Sequence, residues 1–405
     1  MALFAQGRTI LNATSSAPAD PAPPRLHWTE NDAPHAALWR SERGAPPPKQ
    51  VLPTDDRISA DEAYGLAGQG IAMLWRSDFQ NARQLLIALA KRADRKAAQG
   101  RSRSAEAPLT AETFHRVRQL RAQRARTLGM LLIELDGDYG IALRRAPEVR
   151  EACLHAFGPA AGTTVMSLRE LLGVIGAYQW TLRGIDVPAA GGAVHPHYGV
   201  FAPTRTEYVD LVADTPLPCA SPGDALALDI GTGTGVIAAV LARRGLGRII
   251  ATDSDPRAIG CARENVTRLR LTNSVDVQQK DLFPEARADL VVCNPPWVPA
   301  RPGSALERGI YDEDSRMVRG FLRGLAEHLT PEGEGWLILS DLAEHLGLRS
   351  RDTLMAWIDE AGLEVAGRRD TRARHPKAFD RDDPFFNARR AEVTSLWRLR
   401  TRRRQ

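Results

Sequence analysis

The stretch Leu228-Asp-Ile-Gly-Thr-Gly-Thr-Gly235 constrains this chain more than any other segment. A short apolar run, Ala225–Ile230, leads into it, and an uninterrupted helix-forming run, Val236–Arg243, leaves it. Glycine is needed where backbone approaches a ligand closely or takes positive φ. Strand, glycine turn and helix in that order form the first unit of a doubly wound parallel sheet, with its ligand edge at the strand's carboxyl end. Further short apolar runs follow at Arg248–Thr252, Ala288–Cys293 and Gly335–Leu339, each ending in polar or glycine-rich residues. Two last strands are expected near Leu363–Arg368 and Glu392–Leu399, separated by a polar stretch from Arg374 to Pro384.

The glycine spacing is G-x-G-x-G, whereas the loop that seats a dinucleotide pyrophosphate on a helix N-terminus has G-x-G-x-x-G. Asp229, just before the loop, repels phosphate and suits a cationic ligand. The next strand ends at Asp253, where a carboxylate can accept both ribose hydroxyls. Asp281 follows the third strand and is within reach of an adenine amino group, or else it is a turn residue. Gly231, Thr232, Gly233 and Gly235, with Asp229, Asp253 and Asp281, therefore favour S-adenosylmethionine over a nicotinamide cofactor. Asp255, before Pro256, reads as a helix cap.

The fourth strand runs straight into Asn294-Pro-Pro-Trp297. Two prolines fix φ near −65° and hold their carbonyls rigidly. The Asn294 side-chain oxygen and the Pro295 carbonyl can each accept one hydrogen of a planar NH₂ group. That turns the nitrogen toward an electrophilic carbon and favours localisation of its lone pair as the new bond forms. Trp297 offers a flat face for a planar guest. Asn294, Pro295, Pro296 and Trp297 are accordingly the expected catalytic residues, with Asn294 also bordering the cofactor.

Glycine loop, acidic second strand end, Asp281 and N-P-P-W together resemble a class I S-adenosylmethionine-dependent methyltransferase of the small-domain group. The likeness is strongest to the HemK/PrmC glutamine N5-methyltransferases. Gly199-Val-Phe-Ala-Pro-Thr-Arg-Thr-Glu207 is similar to the stretch that leads into that domain, with Thr204 intervening before Arg205. The resemblance implies a Rossmann-like sheet of seven strands, the last antiparallel, and methylation of a glutamine side chain in a protein. Those enzymes usually carry Tyr where this chain has Trp297, and relatives acting on adenine N6 or guanine N2 carry Trp or Phe. An rRNA or DNA base is therefore the alternative acceptor.

Upstream, the first 53 residues hold nine of the 27 prolines, so residues 1–54 are expected to be extended. Residues 55–187 read as an all-helical substrate-recognition domain, and 188–405 as the catalytic domain with a basic tail. Thr110 and Ser167 are the expected N-caps, the latter opening the capping box Ser167-Leu-Arg-Glu170. Trp75 and Phe79 are expected in the core.

Net charge is +5, but residues 91–126 and 366–405 each carry +8 on an acidic remainder. Segments 91–126 and 374–390 are the expected contacts for a macromolecular acceptor, and Lys377, Phe385, Phe386 and Arg389 either line its channel or pack as a loop. The tail Arg398–Gln405 should leave the sheet away from the catalytic edge. His195 and His197 read as surface imidazoles without a third metal ligand. Four scattered cysteines, no C-x-x-C pair, no apolar run of about 18 residues and no signal-peptide pattern point to a cytoplasmic protein with no membrane contact and no metal, and a monomer is expected.

Overall fold

The computed structural model describes residues 23–101, 110–374 and 378–402. The beginning of the proline-rich segment, part of the first basic block, Lys377 and the end of the arginine tail lie outside the described residues.

The C-terminal part is built on one sheet of β9 (Leu226–Ile230), β10 (Arg248–Asp253), β11 (Val275–Gln279), β12 (Ala288–Cys293), β13 (Leu329–Ser340), β14 (Leu363–Arg372) and β15 (Val393–Thr401). Their spatial order is β11-β10-β9-β12-β13-β15-β14. The first five run parallel, and β15 lies antiparallel between β13 and β14. Every expected strand is present within a few residues, and the order is that of the class I methyltransferase sheet.

Alternation along the strands sends side chains to two cores. Ala227, Ile249, Val277, Val292 and Trp336 pack with α7 (Val236–Arg243) and α8 (Pro256–Arg268). Leu228, Ile250, Val291, Leu337 and Leu399 pack with α9 (Arg316–His328) and α11 (Arg351–Glu360). Register places the site: Ile230 pairs with Thr252 on one side and Cys293 on the other. Gly231, Asp253 and Asn294 therefore emerge side by side from three adjacent strands, where the strand order reverses.

The N-terminal part corrects the all-helical expectation. It contains a six-stranded sheet in the order β1-β2-β6-β5-β4-β3. These strands are β1 (Arg25–Glu30), β2 (Ala33–Trp39), β3 (Gln50–Thr54), β4 (Ile71–Trp75), β5 (Leu131–Leu135) and β6 (Thr164–Ser167). The proline-rich segment thus supplies three strands. One face, including Met73, Trp75, Leu131, Ile133 and Met166, packs with α1 (Ala60–Gly68), α2 (Phe79–Arg101), α4 (Arg150–Phe157) and α5 (Leu168–Arg183). The opposite face gathers Leu26, Trp28, Trp39, Leu74, Leu132 and Val165.

Trp75 and Phe79 are core residues as expected, but Trp75 closes β4 and Phe79 opens α2. Both expected caps form: Thr110 accepts from Thr113 N ahead of α3 (Ala111–Leu128), and Ser167 accepts from Glu170 N. The helix after Thr110 stops at Leu128, and Leu132 belongs to β5.

A hairpin of β7 (Ile185–Val187) and β8 (Gly192–Val194) connects the two parts. The helix α3 packs against the loops at the carboxyl edge of the C-terminal sheet. Phe114 and Val117 join Val298, Ala300 and Phe385, together with Leu342 and Leu346 at α10 (Leu342–His345) and Ala388 of α12 (Phe386–Ala391). Among the described residues no helix is long and apolar enough to cross a membrane.

Candidate active site

A cavity of about 1150 Å³ opens at the carboxyl edge of the seven-stranded sheet. Its wall includes Gly231, Thr232, Gly233, Asp253, Asp281, Asn294, Pro295, Pro296 and Trp297. The sequence-predicted residues thus converge, with two exceptions. Gly235 caps α7 in a left-handed conformation (φ +81°) and stands off the wall, and so does Asp229.

The loop is pinned from below. Gly231 N and Thr232 N both donate to Thr252 O, at 2.9 and 2.8 Å. Asp229 Oδ2 accepts from Thr232 Oγ1 at 2.6 Å and from Ala238 N at 3.1 Å, tying the loop to the first turn of α7. Asp229 is fully buried, its Oδ1 has no hydrogen-bond partner among the described residues, and burial pushes its carboxyl up to about 6. At Gly233 (φ +55°) a Cβ would meet nothing within 4 Å, so the backbone faces open space in the cavity.

Asp253 accepts from Gly233 N at 3.0 Å through Oδ2 and from Asp255 N at 2.9 Å through Oδ1. Burial raises its pKa, against these bonds. Asp255 itself caps α8, accepting from Arg257 N. Asp281 is exposed at the cavity wall, next to Leu282, whose left-handed backbone (φ +66°) is held by Thr252 Oγ1 donating to its carbonyl at 2.6 Å.

These features fit S-adenosylmethionine: open glycine backbone, a wall carboxylate for a ribose diol, and a buried carboxylate beneath the loop with an unpartnered oxygen. Gly231, Thr232 and Gly233 would hold its amino-acid end, Asp253 the ribose and Asp281 the adenine side. Asp229 and Gly235 would act by shaping the loop.

At the β12 tip, Trp297 Nε1 donates to Asn294 Oδ1 at 2.9 Å. An amide oxygen has two acceptor positions, so this bond fixes the amide's orientation and leaves a second position for a guest. Trp297 is more constrained than a bare stacking plate. The Arg205 guanidinium lies 5.4 Å from its ring centroid, and Tyr208 packs edge-on at 6.4 Å. Trp297 is thus only partly open, its ring held between Arg205, Tyr208 and the core residues around it. Arg205 is itself held by Glu392 Oε1 at 3.0 Å, and Ser340 Oγ donates to that oxygen at 2.7 Å.

Beyond Trp297 the chain is braced by Val298, which bonds through its N to Ile310 O (3.3 Å) and through its O to Asp312 N (3.0 Å). Asp312 accepts from Met317 N and Val318 N at the start of α9, and burial raises its pKa.

Sequence reasoning missed Arg205's place over Trp297, the 310–312 brace, and above all Phe114. Phe114 arrives from α3 and meets Phe385 at 5.7 Å and Tyr311 at 6.4 Å. Arg118, one turn on, lies 4.0 Å from the Tyr311 ring and donates to Arg301 O at 2.8 Å. Arg121 stands over Phe385 at 5.5 Å. Of the loop residues expected in the channel, Phe385 and Arg389 are on the wall, Phe386 is not, and Lys377 is outside the described residues. The cavity wall carries Asp253, Asp255 and Asp281 close to the glycine loop, and also Arg205, Arg389, Phe114, Tyr311 and Phe385.

Residues 192–351 match the family model of the methyltransferase small domain. A tRNA1(Val) (adenine(37)-N6)-methyltransferase of Bacteroides thetaiotaomicron is 35% identical over 29% of this chain and 54% of its own length. A release factor glutamine methyltransferase of Cereibacter sphaeroides is 35% identical over 34% of this chain and 52% of its own. Among solved structures, a ribosomal protein L11 methylase from Lactobacillus delbrueckii subsp. bulgaricus aligns with a TM-score of 0.34 and 16% identity, over 52% of this chain and 86% of that one. The chain spans about half the length of the first two relatives. The glycine loop, the Asp253 end and the Asn294-Pro-Pro-Trp297 tip all fall inside the stretch 192–351 that matches the methyltransferase small domain, on a sheet with the strand order of the class I S-adenosylmethionine-dependent methyltransferases.

Proposed function

We propose that the protein is an S-adenosylmethionine-dependent N-methyltransferase acting on a planar amide or amine nitrogen of a macromolecule, read first as a glutamine side chain in a protein. The carrying observation is the Asn294 amide, oriented by Trp297 Nε1 at 2.9 Å beside the glycine loop. When bound, S-adenosylmethionine supplies an electrophilic methyl group. The chain's own residues do the rest. Asn294 Oδ1 and the Pro295 carbonyl accept the two hydrogens of the incoming NH₂ and aim its nitrogen into the cavity. Positioning of that kind replaces a strong base, since the proton leaves to water after the bond forms.

A second reading, a nucleobase amine in RNA or DNA, draws on the rim. Arg118 over Tyr311 and Arg121 over Phe385 set cations against aromatic rings beside the cavity, a pairing that single-stranded nucleic-acid grooves also use.

One experiment separates the two. Radiolabelled methyl transfer into extract of cells lacking the enzyme should give a protease-sensitive, nuclease-resistant product. Nuclease-sensitive label establishes the second reading, and no transfer into either overturns both. If nucleic acid is the acceptor, binding must weaken steeply with salt.

A further inference from the structure

The sequence gives His197 no metal partner, but the fold brings two to it. His155 comes from α4 in the N-terminal part, His197 from the segment after β8, and Glu264 from α8. One ligand atom from each lies within 4.8 Å of the other two. His197 Nε2 is 3.1 Å from Glu264 Oε2, and the two imidazoles meet edge to face with centroids 4.5 Å apart.

We propose that His155, His197 and Glu264 form a divalent metal site, chemically suited to Zn²⁺, that fastens the N-terminal sheet part to α8. Two imidazole nitrogens and one carboxylate oxygen are a zinc donor set that leaves a fourth position for water. With metal–ligand distances of about 2.0–2.2 Å, tetrahedral donors stand roughly 3.3–3.5 Å apart. The His197–Glu264 separation is already at that scale, and the wider spacing closes by rotation of exposed side chains. His197 is well anchored, its side chain 15% exposed, while Glu264 and His155 stand at the surface, where an ion has access.

The competing arrangement is a plain ion-pair cluster. Arg268 Nη2 lies 3.9 Å from Glu264 Oε2, and Tyr178 packs against His155 at 5.7 Å while donating to Glu151. Arg268 is 52% exposed and can swing away, whereas nothing in an ion pair calls for the second imidazole. The site is separate from the cavity, because none of the three residues is on its wall. It therefore does not depend on which acceptor is methylated.

The full chain, stripped with EDTA and dialysed, is titrated with ZnCl₂ by calorimetry and followed by thermal unfolding. One saturable site of micromolar or tighter affinity is expected, with a Tm rise of several degrees that EDTA reverses. His155→Ala, His197→Ala and Glu264→Gln should each weaken binding about tenfold or more, and the His155→Ala/His197→Ala double variant should lose the Tm response. All three positions are at least partly exposed, so circular dichroism should show the variants folded. Absence of saturable binding in the wild type overturns the site, as does unchanged binding in the double variant.

Discussion

At the residue scale the site is a set of fixed acceptors whose orientation is decided one step away from the reacting atoms. On the proposed function Asn294 would meet the acceptor, and the Trp297 bond sets which way its amide faces. Trp297→Phe keeps a ring under Arg205 and removes only the indole N–H. Turnover should fall about tenfold, the worth of one orienting hydrogen bond, with cofactor Kd unchanged by calorimetry. Equal losses in both quantities would show that Trp297 shapes the cofactor site instead. Asp229 makes the opposite case, a carboxylate held where water cannot reach it. Its folded-state pKa, pushed up to about 6 from 3.8, means the unfolded chain ionises first. Stability is therefore lost as pH rises between these values, and the penalty is fully present above about 6. Asp229→Asn should raise the Tm by a few degrees at pH 8, by clearly less at pH 4.5, and should weaken cofactor binding. A Tm gain independent of pH would remove the ionisation argument.

At the element scale the tail is where charge and structure part company. Glu334 on β13 is fully buried and accepts from Arg398 Nε at 2.8 Å, from Arg400 Nε at 2.9 Å and from Trp336 Nε1 at 3.2 Å. Arg402 pairs with Asp359. Arg398 and Arg400, counted with the basic tail in the sequence, thus clasp β15 to β13. Burial alone would raise the Glu334 carboxyl, but the bonds from Arg398, Trp336 and Arg400 hold it below its ordinary 4.5. Its contribution is therefore present above that value and lost as pH falls through the lower folded-state one. Glu334→Ala should cost about 3 kcal/mol in urea unfolding at pH 7, and the difference from wild type should shrink below pH 4. The C-terminal elements were legible because each apolar run ends in a polar or glycine signal and a helical period follows. β4 and β5 were not. Ile71–Trp75 is a five-residue apolar run and Leu131–Leu135 one broken only by Glu134, both abut helices, and a run of that length carries no period of its own. β1 and β2 hid behind prolines, although Asn31 and Asp32, both left-handed (φ 52° and 59°), mark a hairpin turn that the two residue types suit. The loop, the Asp253 end and the N-P-P-W tip could be found because their chemistry lies in contiguous residues. Arg205 over Trp297 could not, since that contact exists only after the sheet has formed.

At the scale of the whole molecule, the basic block on α3 matters less for its net charge than for where its apolar face goes. Arg118 is paired with Glu307 and Arg124 with Asp94, so much of the positive charge is answered locally. The same helix buries Phe114, 2% exposed, against Phe385 and Tyr311 on the cavity wall. On the proposed function the acceptor entrance would thus draw on both parts of the chain, while the glycine loop, Asp253 and Asn294 come from the seven-stranded sheet. That asymmetry makes a specific demand of Phe114→Ala. Removing a buried ring loses apolar burial and leaves a void between α3 and α12, at a cost of about 3–5 kcal/mol if nothing collapses. Much of that cost should appear as loosening of α3 rather than global unfolding, because each part keeps its own core. Cofactor Kd should then stay within about twofold of wild type, while KM for the macromolecular acceptor rises roughly tenfold. Calorimetry with S-adenosylmethionine and steady-state methyl transfer read the two quantities separately. An unchanged KM with weakened cofactor binding would mean that Phe114 supports the sheet edge and takes no part in admitting the acceptor.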